Sequence, residues 1–321
     1  MLYRLAKLNL KFYEKERLAK LVEKMDEVKK YLACDGRVSV IIANTTEMVE
    51  EYRKLKNLTP TTTAVMGRFL TIAGMMGHTD MKSDKETMTL QIKGGGPVGT
   101  LITTIRKEQD IVKLKSYIQN PSVELETKEN GKIDVGGAVG NAGFLNIIKE
   151  SEFSEQGYNG VVPLVSGEIA EDFASYFANS QQVPTVLALG VLVNKDGVVA
   201  SGGYKIELMP DATEEDITQI ENSVNKAENI SEMLKSGKSL NEIVEIITGD
   251  ENTMVLTNKL EIKYECDCNK EKFESGLISL GKKELKDIIE EDGQAEIKCQ
   301  FCDKIYNFSK EELEKILENI K

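Results

Sequence analysis

Histidine occurs once in this chain, at His78, and cysteine five times in 321 residues. So few thiols exclude the disulfide-dense scaffold of a small secreted domain. No apolar run approaches the roughly 20 residues that would span a bilayer, and the opening MLYRLAKLNLKFYEKERLAK is broken by charge too often for the apolar core of a signal peptide. Positive charge is in deficit: 41 Lys and Arg stand against 53 Asp and Glu, a net of -12 with a pI near 4.9. That balance argues against general affinity for phosphate backbones or anionic membranes. There is no internal repeat and no low-complexity tract. The expectation is a cytoplasmic protein in a reducing compartment, with neither nucleic acid nor membrane as partner.

What is present is ordinary globular composition, 40% hydrophobic and 29% charged. The length suits about two domains, or one large domain with an appendage. Residues 1–24 read as a basic amphipathic extension, with seven Lys/Arg against three Glu, a net of +4, and Met25 is an alternative start. Residues 25–210 read as an α+β core of mixed sheet and helix. Runs such as RVSVIIA, TMTLQIKGGGPVG and GVVPLVSG have strand character, and NKDG between two β-rich segments marks a hairpin. The segment TPTTTAVMGRFLTIAGMMG predicts a helix with an apolar face, and SGEIAEDFASYFANS a second one capped by Ser166. Residues 211–258 change character: eleven Asp/Glu against three Lys give -8, no aromatic residue occurs, and Ile217, Ile220, Val224, Leu240, Ile243, Val244 and Ile247 fall at helical spacing. Ordering a backbone costs about 1 to 2 kcal/mol per residue, so this helical linker is marginal without a partner surface. Residues 259–321 form a small C-terminal module whose last helix opens on a capping box, Ser309 to Glu312.

Four of the five cysteines lie in that module, as Cys266-Asp-Cys268 and, thirty residues on, Cys299-Gln-Phe-Cys302. Four soft ligands with no histidine near them in sequence match tetrahedral zinc. The Cys-x-Cys half is tighter than usual spacing. In an extended strand, residues i and i+2 stand roughly 6 to 7 Å apart, near the upper limit for a disulfide, so the backbone must turn at Asp267. Each pair is close enough in sequence to close its own disulfide, and small rings of this kind favour a reversible bond. Zinc supplies about 10 to 16 kcal/mol of apparent binding energy to small modules, so oxidation that expelled it would unfold the domain. Spacing alone leaves three readings open: a static structural zinc site, a redox-releasable one, and a thioredoxin-like enzyme. The last lacks a βαβ context for CQFC.

Other signals carry less. KGGGPVGT lacks the Gly-Lys-Ser/Thr ending of a phosphate loop and reads as a glycine turn. VGGAVGNAG is half a dinucleotide fingerprint without an acidic partner. Ser166 is outside any nucleophile elbow, His78 reads as a capping or surface residue, and Cys34 as a small buried hydrophobe. No catalytic constellation assembles, and the chain reads as a non-enzyme.

From about Met25 onward the chain resembles the heat-shock protein 33 family of bacterial redox-regulated chaperones. The resemblance rests on NTTEMVEE, PTTTAVMGRFLTIAGMMG, LQIKGGGPVG, DVGGAVG, PLVSGEIAEDFASYF, GVLVNKDG, EEDGQAE and, above all, the CDC and CQFC pairs that flank the last of these. It implies an α+β core, a helical linker and a four-cysteine zinc domain. It also implies a stress-response holdase that works without ATP. By this resemblance the reduced form holds one Zn2+ on Cys266, Cys268, Cys299 and Cys302 and is inactive. Oxidation forms Cys266–Cys268 and Cys299–Cys302, the zinc leaves, the linker unfolds, and the protein binds unfolded clients, as a homodimer in its oxidised form. The extension before Met25 and the extra thiol of Cys34 depart from the family pattern.

Overall fold

The computed structural model describes residues 26–152, 154–256 and 260–320. The extension over residues 1–24 lies outside them. The chain forms two compact units, one ending at Tyr264 and the other beginning at Glu265.

The first unit opens with β1 (Glu27–Ala33), β2 (Val38–Asn44), α1 (Thr46–Lys56) and α2 (Pro60–Thr79). Then come β3 (Glu86–Lys93), β4 (Thr100–Glu108), β5 (Ile111–Ile118), a short α3 (Val135–Val139), β6 (Phe144–Ser151), β7 (Ser154–Pro163) and α4 (Ala170–Asn179). β8 (Thr185–Asn194) and β9 (Gly197–Leu208) make the hairpin expected at NKDG. The acidic segment supplies α5 (Glu214–Lys226), α6 (Ile230–Lys235) and α7 (Leu240–Thr248), followed by β10 (Met254–Val255) and β11 (Leu260–Tyr264). The strands join one mixed sheet in the order β7-β6-β3-β4-β5-β11-β1-β2-β9-β8, with β10 beside β1. Neighbours are antiparallel except β5 and β11, which run parallel. The α+β expectation holds.

α2 lies against β1, β2, β4, β5, β8 and β9. The sequence predicts one apolar face for it, yet its residues are buried on all sides from Thr61 to Gly77 apart from Arg68. A helix at the centre of a domain has no solvent face to keep polar, and its threonines satisfy themselves on backbone: Thr63 and Thr71 donate to Thr59 O and Gly67 O at 2.6 and 2.7 Å. Its Thr59 cap and Pro60 start match the sequence. On the next helix the cap differs from expectation. α4 begins at Ala170, and Ser166 does not cap it. Instead Asp172 is buried and accepts from the amides of Val165, Ser166, Gly167 and Ile169 at 2.7, 3.1, 3.3 and 3.0 Å, around Ile169 with its positive φ of 66°.

The acidic helices have a partner surface. Ile220, Ile230, Met233, Leu240, Ile243, Val244 and Ile247 pack on Tyr31, Val38, Val40, Ile42, Tyr204 and Ile206 of β1, β2 and β9. Alternation puts α2 on the opposite face of the same strands: a side chain at Gly203 would meet Thr71 of α2, and one at Gly202 would meet Leu234 of α6. β2 is therefore covered on both sides, which is why VSVIIA shows no polar alternation. α5 and α7 open on capping boxes, Thr213 with Asp216 and Ser239 with Glu242. Three further ties hold them. Arg37 donates to both carboxylate oxygens of Asp216 at 2.7 and 3.0 Å, the Cys34 amide donates to Asp250 at 2.7 Å, and the Tyr31 hydroxyl donates to Asn241.

The second unit is α8 (Lys270–Leu280), α9 (Lys282–Glu291), the hairpin β12 (Gln294–Lys298) and β13 (Ile305–Ser309), and α10 (Lys310–Asn319). Gly281 (φ 91°) separates the first two helices. Leu277, Leu285, Ile289, Tyr306, Phe308, Leu313 and Ile316 form its whole buried apolar cluster among the described residues. Ser309 and Glu312 make the expected capping box of α10.

Candidate metal centre

Cys266 and Cys268 lie in the irregular stretch before α8, with Cys268 immediately ahead of Asn269, the helix cap. Cys299 and Cys302 occupy the turn of the β12–β13 hairpin. That turn is closed by Cys299 N donating to Lys304 O and Asp303 N donating to Cys299 O, both at 2.9 Å, with Asp303 left-handed (φ 59°). The two loops converge so that the four sulfurs all lie within 4.8 Å of one another. Cys299 is buried and the other three are half-buried. All four are free thiols, and two close contacts run across the pairs: Cys266 Sγ to Cys299 Sγ at 3.7 Å and Cys268 Sγ to Cys302 Sγ at 3.3 Å.

These distances have a meaning. Sulfurs about 2.3 Å from a common centre stand about 3.8 Å apart on the edges of a tetrahedron, so the cluster has the dimensions of a four-thiolate metal site. The chemistry of the donors agrees. Burial pushes the Cys266 and Cys302 thiols up, so neither ionises readily by itself. Burial opposes ionisation of Cys268 too, but the Tyr306 hydroxyl, 3.2 Å from its sulfur, and the neighbouring thiols hold it below the ordinary range. Four sulfurs at this separation become thiolates together only around a cation. Tyr306 also reaches Cys268 O at 2.9 Å and stacks on Phe273 with ring centres 4.8 Å apart, which fixes the hydroxyl that supports the ligand.

The remaining sequence signals lie elsewhere. Cys34 belongs to the first unit, buried beneath the acidic helices, with Gln219 Nε2 3.8 Å from its sulfur. Its thiol is pushed up to about 11, first by burial and then by Asp216 and Asp250. The two glycine motifs pack on each other: Gly96 N donates to Val139 O at 2.9 Å, Ala142 N donates to Gly94 O at 3.0 Å, and a side chain at Gly94 would strike Val139 O at 2.2 Å. They are a backbone crossing. His78 sits in the last turn of α2, half-buried, with its pKa lowered by burial. Tyr306 is the residue of the centre that sequence reasoning missed. The signal available was an aromatic four residues past CQFC on the outgoing strand of a hairpin.

The profile of the Hsp33 protein family matches residues 26–309. The chain belongs to that family. The 33 kDa chaperonin of Clostridioides difficile is 45% identical over 295 residues, 92% of this chain and 99% of that protein. The 33 kDa chaperonin of Bacillus subtilis is 40% identical over 291 residues, 90% and 97% of the two chains. The crystal structure of the 33 kDa chaperonin (heat shock protein 33 homolog) of Thermotoga maritima superposes with a TM-score of 0.83 at 36% identity, covering 92% of this chain and 98% of that one. Family membership makes this chain a chaperone, and the resemblance read from its motifs holds. No helix among the described residues is long and apolar enough to cross a membrane.

Proposed function

We propose that this chain is a redox-regulated holdase, which binds unfolding proteins without ATP and catalyses no reaction. The observation that carries the reading is the cluster of four free sulfurs within 4.8 Å in a unit whose buried apolar cluster, among the described residues, has seven side chains. So small a core is marginal by itself. Cys266, Cys268, Cys299 and Cys302 would hold one Zn2+, which supplies the binding energy that keeps the unit folded.

Oxidant reaches the half-buried thiolates. Two thiolates, one hydrogen peroxide and two protons from solvent give one disulfide and two waters: the sulfurs lose two electrons and the peroxide oxygen–oxygen bond takes them as it breaks. We assign the bonds as Cys266–Cys268 and Cys299–Cys302, each joining neighbours within one loop, although close contacts in the reduced cluster also run between the loops. Two such bonds consume all four ligands, and the unit loses its anchor. The acidic helices α5–α7 follow, since their own apolar payload is small. What they uncover is the face of β1, β2 and β9 carrying Tyr31, Val40, Ile42, Tyr204 and Ile206, a continuous apolar surface of the kind that captures unfolded chains. The freed segment 211–258, net -8, keeps the captured client soluble. Oxidised chains pair as homodimers, and the setting is the cytoplasm under oxidative stress.

The test adds hydrogen peroxide with mild heat to zinc-loaded protein and follows client aggregation by light scattering together with released zinc. Suppression must appear with zinc release. Suppression that is equal before and after oxidant contradicts the reading and leaves a constitutive binding module.

A further inference from the structure

The large sheet receives two strands from beyond the acidic helices, and β11 alone of the two sits inside it. β11 separates two sets of strands, β7-β6-β3-β4-β5 on one side and β1-β2-β9-β8 on the other. It pairs in parallel with β5 through Glu261↔Ile111, Ile262↔Val112, Lys263↔Lys113 and Tyr264↔Leu114, and antiparallel with β1 through Glu27↔Glu261 and Val28↔Leu260. Without it β5 loses its partner on that edge and β1 loses its partner at Glu27 and Val28, keeping only β10 at Tyr31 and Leu32.

The place it fills is built by residues far earlier in the chain. Leu260, Ile262 and Tyr264 point inward and are buried. Ile262 lies over Gly74 of α2, where a side chain would come within 2.9 Å of it. Tyr264 packs on Tyr52 of α1 with ring centres 5.0 Å apart, and both hydroxyls donate to Ser116 O, at 3.4 and 3.1 Å. Glu261 and Lys263, facing the other way, are half-buried. The slot thus requires apolar side chains at alternate positions, accepts charge between them, and takes the rest of its binding from main-chain hydrogen bonds. Any half-buried strand of a globular protein meets that description once unfolded. Low sequence selectivity is what a holder of diverse clients needs.

The tethers of β11 are also telling. On one side run α5–α7, and on the other Cys266 follows Tyr264 by two residues. Both are the segments that the proposed switch unfolds, and the strand between them is five residues long.

We propose that β11 is the built-in occupant of a strand-binding slot, and that an extended apolar segment of an unfolded client takes its place between β1 and β5 in the active chaperone. The release of β11 by oxidation rests on the switch proposed above; the slot itself does not.

The test follows amide exchange at residues 111–114 of the full chain, with reduced carboxymethylated α-lactalbumin as the unfolded client. On oxidation the alternate amides of this stretch that face β11, the others being turned to β4, lose protection by about tenfold or more, they regain it when the client is added, and a free KLEIKYE peptide displaces the client where KLEDKYE does not. Client held while residues 111–114 stay protected throughout overturns the slot and leaves the switch standing. Protection regained without client, with doubled mass, assigns the slot to a second copy and overturns the client assignment. Should oxidation release no zinc, the switch fails and the slot is read in reduced full-length Ile262→Ala and the milder Gly74→Ala, with the β8–β9 amides as a control for folding. Loosened amides at 111–114 with client capture support the slot; loosened amides without capture overturn it.

Discussion

Tyr306 reaches the four-sulfur cluster without belonging to it, so its hydroxyl can be removed while all four sulfurs stay. Tyr306→Phe is expected to lower zinc affinity by about tenfold, measured by competition with a chromogenic chelator, with the ring stacking on Phe273 preserved. Glu50 gives a prediction of a different kind. It accepts from Arg53 at 2.7 and 2.8 Å and from the Val198 amide at 2.9 Å, tying α1 to the β8–β9 hairpin. The Arg53 guanidinium, chiefly, pulls its carboxyl from 4.5 to about 2. Because the folded value is the lower one, the stabilisation is complete above about pH 4.5 and disappears as pH falls toward 2. Glu50→Gln should cost about 1 kcal/mol at pH 6 and much less at pH 3, read from urea unfolding of the reduced chain. At this scale the cysteines were legible because each pair is local in sequence. Tyr306 was not, since only the return of β13 brings its hydroxyl to Cys268. Asp172 was missed likewise, as nothing in SGEIAED tells that one carboxylate gathers four amides and displaces Ser166 as the cap.

Among the elements, the acidic helices illustrate what periodicity can and cannot convey. The heptad-like recurrence of Leu240, Ile243, Val244 and Ile247 announces an apolar stripe, but the surface beneath it is assembled from strands about two hundred residues earlier. Helix existence is a local property; what covers a helix is not. The same holds for β11, whose LEIKY is too short and too charged to stand out beside CDC. α2 errs in the other direction, with a pattern that resembles one apolar face until its threonines are found donating to their own backbone. The anchor of α5 is open to test. Arg37 holds the Asp216 carboxyl far below the usual carboxylate range. Asp216→Asn removes that charge pair and weakens the capping box with Thr213. Amides of α5–α7 are then expected to exchange about tenfold faster in reduced protein while those of β3–β6 are unchanged, and client capture should begin at a lower peroxide dose. Equal exchange in the two proteins would show that the pair does not hold the linker.

For the whole molecule the account predicts a division of labour along the chain. Replacing Cys266, Cys268, Cys299 and Cys302 together by serine should abolish the cooperative unfolding of the residues after Glu265, seen by amide exchange, while the sheet of the first unit keeps its protection in β3–β6. The α+β class was readable from the strand-like and helix-like runs and the motifs, because the period of the apolar pattern changes with the way each element buries its side chains. The mixed sheet that takes its eleventh strand from beyond the linker was not, since long-range pairing leaves no local trace. The most direct measurement is a peroxide titration of zinc-loaded protein at mildly raised temperature, counting released zinc, free thiols and protected amides in residues 265–320 on the same samples. The account predicts one zinc lost per chain as five thiols fall to one, Cys34, with protection of that unit lost in step. Protein that is metal-free yet fully protected at the outset, or that retains its zinc after the four thiols have been consumed, contradicts it.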